Sequence, residues 1–127
     1  MESMIFLDTH VAIWLYSGQL DLFKPRVLEI INEQQVCISH IVRLEMKYLN
    51  EIGRINQLPD VIIDALINEI GLVYSENNIE RIINQAIHLD FTRDPFDRII
   101  VADAYINNSK LISKDKIIKK HYKNTVW

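Results

Sequence analysis

The sequence has one cysteine, three glycines, no apolar run of membrane-spanning length and no excess of positive charge. The single thiol, Cys37 in the run VCIS, fits a buried reduced cysteine better than a disulfide or a catalytic nucleophile. With glycine only at Gly18, Gly53 and Gly71, a phosphate-cradling loop of the P-loop or dinucleotide type is excluded. Gly53 and Gly71 read more simply as helix terminators. Short apolar stretches exclude a spanning helix. Glu2 stands where a signal peptide would carry basic residues, and the first apolar run stops at Asp8. The expected location is therefore the cytoplasm, where the glycosylation-like Asn107-Asn108-Ser109 has no meaning. A net charge of −3 argues against gripping nucleic acid through overall positive charge. Lys110, Lys114, Lys116, Lys119, Lys120 and Lys123 crowd near the C-terminus, so any phosphate binding there is local, unless they form only a solvated helix face.

What the chain does have is apolar content, 49% of 127 residues, enough for one core and too little length for two ordinary domains. A single domain over 1–127 is expected. Short runs rich in branched residues alternate with helical patterns, which predicts an α/β fold with a mostly parallel sheet. The candidate strands are 4–7, 36–38, 72–74, 110–112 and 125–127. Helices are expected near 9–17, 24–34, 40–52, 59–70, 77–89, 95–107 and 115–121.

Open parallel sheets bind ligands beyond the carboxyl ends of their strands. Asp8-Thr9 follows the first strand, Ser39 the second, and Ser113-Lys114-Asp115 the fourth. Each alone could be no more than a helix cap. Glu45 is more telling: in SHIVRLEMKYLNEI it interrupts a stripe formed by Ile41, Val42, Tyr48, Leu49 and Ile52. A carboxylate on an apolar face needs a partner. Arg43 and Lys47, two positions away, point elsewhere on the helix, which leaves another cation or a bound metal.

The stretch RDPFDR opens a further apolar helix. Asp94 suits the N-cap, Pro95 the first helical position and Asp97 the place of a capping-box acid. Asp103, six residues beyond Asp97, points to a different face. Glu76 reads as an acid at a helix start. The set left over is Asp8, Glu45, Asp97 and Asp115, with Asp94 adjacent. Converging carboxylates repel one another unless divalent cations intervene. Without paired cysteines or closely spaced histidines, all-oxygen ligation points to Mg²⁺ or Mn²⁺. His10 and His40, beside strand ends, could flank such a pocket, whereas His88 belongs on a helix surface. Carboxylate-held metals acidify bound water and stabilise a leaving oxygen, which suits in-line phosphodiester hydrolysis.

FLDTHVAIWL, the Ser39-to-Glu45 spacing, RDPFDRIIVADA and LISKD together make the chain resemble the PIN-domain family, specifically VapC-type toxins of toxin-antitoxin pairs. The resemblance implies a PIN-like three-layer sandwich with a parallel sheet between helices, and a Mg²⁺- or Mn²⁺-dependent endoribonuclease. It implies metal-site roles for Asp8, Glu45, Asp97 and Asp115. Asp94 would serve mainly as a cap with a secondary role at the metals, and Thr9 and Ser113 would support the acids. His10 replaces the Asn or Ser often found after DT. An RNA substrate, transfer RNA among the possibilities, a cognate antitoxin docking in a groove, and a homodimer are implied too. Lys114, Lys116, Lys119 and Lys120 are the candidate RNA contacts, and Trp14 and Tyr16 candidate groove residues unless they are simply core. A non-catalytic PIN-like scaffold that binds RNA or protein is the alternative, disfavoured because all four acids are present. A phospho-signalling receiver lacks support, since no paired acids follow the first strand and no aspartate follows the third.

Overall fold

In a computed structural model describing residues 4–127, five strands form one sheet flanked by seven helices. The reading of Glu2 lies outside those residues. β1 (Met4–Leu7) leads into α1 (Thr9–Tyr16), and a short 3-10 turn, Leu20–Leu22, precedes α2 (Pro25–Glu33). β2 (Gln35–Ile38) is followed by α3 (His40–Glu51) and α4 (Pro59–Ile70). β3 (Val73–Tyr74) feeds α5 (Ile79–Ala86) and α6 (Pro95–Ile106). The chain closes with β4 (Leu111–Ile112), α7 (Lys116–His121) and β5 (Thr125–Val126).

Local chemistry explains the boundaries. All three prolines stand at the first position of a helix, where the missing N–H is not needed. Gly71 ends α4 in the left-handed region at φ 69°, which a side chain would resist. Asp8, Asn78, Asp94 and Asp115 accept backbone N–H groups at the starts of α1, α5, α6 and α7. The start of α5 corrects one sequence reading. Asn78 supplies the cap, so Glu76 lies in the preceding loop and Glu80 is the acid in the first turn.

The strand order is β3-β2-β1-β4-β5, and every pairing is parallel. Strands buried on both faces need continuous apolar runs, and Ile5, Phe6, Leu7, Val36, Cys37, Ile38, Leu111 and Ile112 are all buried. Val42, Met46 and Leu49 bring α3 onto this core, while Ile82, Ala86 and Ala102 pack α5 against α6. Tyr48 and Ile52, expected on the buried stripe of α3, are instead about half exposed. The described residues include no helix long and apolar enough to cross a membrane.

Candidate metal centre

The order of strands reverses between β1 and β4, and the crevice beyond the carboxyl ends of such a pair is where open parallel sheets leave room for a ligand. Both strands deliver polar groups there. Asp8 follows β1, where its backbone N–H donates to the Ile112 carbonyl at 3.0 Å, and its Oδ1 accepts from the Thr9 N–H at 2.8 Å. Ser113, at the end of β4, donates its hydroxyl to Asp8 Oδ2 at 2.7 Å. Thr9, fully buried, donates its own hydroxyl to Glu45 Oε1. Two hydroxyls thus fix the two most buried acids of the site, and neither bears a positive charge.

Asp115 and Asp94 each use one oxygen to cap a helix. Asp115 Oδ1 accepts from Ile117 and Ile118 at 2.8 and 3.0 Å, and Asp94 Oδ1 from Phe96 and Asp97 at 2.9 and 3.4 Å. Asp97, in the first turn of α6, is different. No described residue hydrogen-bonds its carboxylate. All five acids line one cleft of about 430 Å³, together with His10, Val11, Trp14 and Lys114.

Crowding and burial govern the protonation of these groups. The Asp97 carboxyl is pushed up to about 7, first by burial and then by the negative charges of Asp8, Asp94, Glu45 and Asp115. Burial also raises Asp8 and Glu45, against the hydrogen bonds from Ser113 and Thr9 and the neighbouring His10. The expected local cations do not help Glu45. Arg43 is turned to Asp60, Nε to Oδ1 at 2.7 Å, in the one ion pair found among the described residues. Lys47 lines another cavity.

As they stand, no three acidic, histidine or cysteine side chains among the described residues are placed to hold a metal ion. The chemistry of the donor set nevertheless fits a hard divalent cation: carboxylate oxygens only, uncompensated charge and one acid without a donor.

Residues 5–124 match the PIN domain family. This chain belongs to that family. No curated protein matches it in sequence. Among solved structures, the PIN domain is similar to a chain of VapBC2 from Rickettsia felis bound to a promoter DNA fragment, with 14% identity, TM-score 0.68 and coverage of 97% of this chain and 96% of that one. VapBC-1 from nontypeable Haemophilus influenzae gives 19% identity, TM-score 0.65 and coverage of 98% and 96%. DNA-bound VapBC from Salmonella typhimurium gives 15%, 0.56, and 94% and 92%. At these identities the likeness establishes the α/β PIN fold.

The fold brings Asp8, Glu45, Asp94, Asp97, Asp115 and Lys114 to one cleft, with Thr9 and Ser113 beneath them. Other expected neighbours go elsewhere. Lys116, Lys119 and Lys120 are exposed on α7 and do not line the cleft. Ser39 is buried at the start of α3 without capping it through its side chain, and His40 stacks on Tyr74 beside a different cavity. Trp14 packs against the core, one of the two readings the sequence offered, and also lines the acid cleft.

Proposed function

We propose that this PIN domain is a metal-dependent endoribonuclease, the toxin of a toxin-antitoxin pair, which hydrolyses phosphodiester bonds in structured RNA such as transfer RNA and so inhibits translation in the cytoplasm. The observation that carries this reading is the Asp97 carboxylate, half-buried, without a hydrogen-bond donor, and facing four other acids around one cleft. An acid serving only the fold would be paired or exposed. The VapBC names of the structural neighbours support the toxin and a cognate antitoxin partner, and a homodimer completes the proposed assembly.

In this proposal Asp8, Glu45, Asp97 and Asp115 hold Mg²⁺ or Mn²⁺, and Asp94 keeps its capping role with its second oxygen turned to the site. When bound, the ion supplies an acidified water for in-line attack and counter-charge for the leaving oxygen. Thr9 and Ser113 orient Glu45 and Asp8 through their hydroxyls, which limits how far those two carboxylates turn on loading. Lys114 meets the phosphate at the cleft, and Lys116, Lys119 and Lys120 attract the backbone farther out along α7.

The test is incubation of total cellular RNA with purified, antitoxin-free protein in Mg²⁺, Mn²⁺ or EDTA, alongside Asp97→Asn. Discrete fragments that require metal and disappear in the variant are expected. Absence of cleavage by folded, metal-loaded protein would overturn the nuclease and favour a binding scaffold.

A further inference from the structure

The acid cleft does not end at Trp14. A second cleft of about 490 Å³ adjoins it, and His10 and Trp14 line both. The two differ sharply in charge. Five carboxylates line the first, whereas no acidic residue lines the second, whose polar groups include Arg54, Asn56 and Gln57. Arg54 is exposed and has no ion-pair partner among the described residues. In a chain of net charge −3, a free guanidinium in an acid-free cleft beside the acid site marks a place that receives negative charge.

The ring surfaces there are held in advance. Trp14 is half-buried, and its indole is braced edge-on by Phe23 at 6.3 Å and by Trp127 at 5.9 Å between ring centroids. Phe23 and Trp127 are themselves in contact at 5.0 Å. His10, one helical turn earlier and exposed, tilts 48° from Trp14 at 6.2 Å, so the two rings form an open wedge on the divide between the clefts. A braced aromatic loses little freedom when something stacks on it. Unpaired bases stack on such faces, and amide and guanidinium side chains hydrogen-bond base edges or phosphates.

From this we infer that the second cleft is a subsite for one unpaired nucleotide next to the scissile phosphate, with its base on the His10–Trp14 wedge and its phosphate or base edge at Arg54. The inference rests on the nuclease reading and deepens it. It makes the preferred RNA a single-stranded loop rather than a duplex, because a paired base cannot leave its stack to enter the wedge.

The test measures binding apart from cleavage. Fluorescein-labelled eight-nucleotide oligouridylate and oligoadenylate are titrated by anisotropy in EDTA against the wild type, Arg54→Gln, Trp14→Ala and Trp14→Phe. The effect expected for Trp14→Ala is about tenfold weaker binding, the scale of one lost stack, with Trp14→Phe restoring most of it. Arg54→Gln, on the surface and away from the core, is expected to weaken binding about threefold to tenfold and to flatten its salt dependence. Abasic substitution along the oligonucleotide should erase the Trp14→Ala effect at one position only. Unchanged affinity in both Arg54→Gln and Trp14→Ala overturns the subsite. It would hand the cleft to a polypeptide partner if the same variants lose a co-expressed protein on purification. The two readings fail separately: RNA cleavage that is insensitive to Arg54 and Trp14 sinks the subsite alone, whereas Trp14-dependent binding without metal-dependent cleavage sinks the nuclease alone.

Discussion

Asp97 and Asp103 lie six residues apart on the same helix, α6, and the protein treats them in opposite ways. Asp103 is fully buried, yet its Oδ1 accepts from Ser75 Oγ and Asn77 Nδ2, both at 2.7 Å. Asn77 also donates to the Asp103 carbonyl and to Asn107, so this carboxylate ties the loop after β3 to α6. Asp97 is less buried and has no donor at all, only four like charges around it. Burial therefore does not separate the two, whereas the company each carboxylate keeps does. The Asp103 oxygen that holds the fold together, Oδ1, is given two donors while its buried Oδ2 has none, whereas neither oxygen of Asp97 receives a donor from the described residues.

The sharpest way to break this comparison is to neutralise each acid in turn. Asp97→Asn is expected to lower metal-dependent RNA cleavage by at least about 100-fold, since a ligand to the metals is lost. The same substitution should not destabilise the metal-free protein, because it removes a charge that its neighbours oppose. Parallel rates and thermal melts check both halves. A metal-free Asp97→Asn protein that melts well below wild type would mean that Asp97 has a structural partner after all.

Titration sharpens the same contrast. A carboxyl whose folded pKa lies above its unfolded value adds stability that is fully present below the unfolded pKa and is lost as pH rises through the folded one. For Asp97 that window runs from the ordinary carboxylate range up to about 7, and Asp8 and Glu45 shift in the same direction. Metal-free protein should therefore lose stability between about pH 4 and pH 7. Millimolar Mg²⁺ or Mn²⁺ should raise the melting temperature at pH 8 and have little effect at pH 5, where protons compete for the same oxygens. Melts across this range with and without EDTA settle it, and a metal effect independent of pH would contradict the assignment.

Much of this arrangement was legible in the sequence because it is local. The order of strands and helices follows from apolar runs and prolines, and Asp94 as a cap follows from DPFD. Glu45 stood out because it broke an apolar stripe, and its burial beside Val42, Met46 and Leu49 matches that logic. The placement of Asp103 away from the cleft was also readable, from helical geometry alone. Its partners were not. Ser75 and Asn77 are 28 and 26 residues away on a loop whose path no periodicity reports. The hydroxyl of Thr9 reaching Glu45 across 36 residues, the bracing of Trp14 by the last residue of the chain, and the turn of Arg43 to Asp60 are equally tertiary. Lys114 lines the cleft, whereas Lys116, Lys119 and Lys120, clustered in sequence, lie on the exposed surface of a short helix, a separation that no spacing in the sequence reports.

Asp103→Ala tests the other half of the comparison. Removing the shared acceptor leaves Ser75 Oγ and Asn77 Nδ2 without it, a loss of about 1–3 kcal/mol by denaturant unfolding. Asp103→Asn keeps an acceptor oxygen for them and should cost less. Neither variant is expected to change the rate of RNA cleavage by the folded fraction. A selective loss of cleavage at unchanged stability would place Asp103 in the machinery and dissolve the distinction drawn here.

The smallest effect belongs to the ion pair that looks most like a conventional stabilising contact. Arg43 meets Asp60 through two hydrogen bonds, at 2.7 and 3.0 Å, and the pair holds the Asp60 carboxyl below the usual range. Both side chains are more than half exposed, so water and salt screen the attraction, and ordering two long side chains offsets much of what remains. Asp60→Asn should leave the melting temperature unchanged within error at physiological salt. The same carboxyl-to-amide change is thus expected to cut RNA cleavage at Asp97, to cost modest stability at Asp103 and to do nothing measurable at Asp60. Exposure alone would rank Asp60 first and Asp103 last for tolerance but would misplace Asp97, whose importance comes from the absence of any donor. A marked drop in melting temperature for Asp60→Asn would show that a good geometry between exposed charges counts for more in this protein than screening allows.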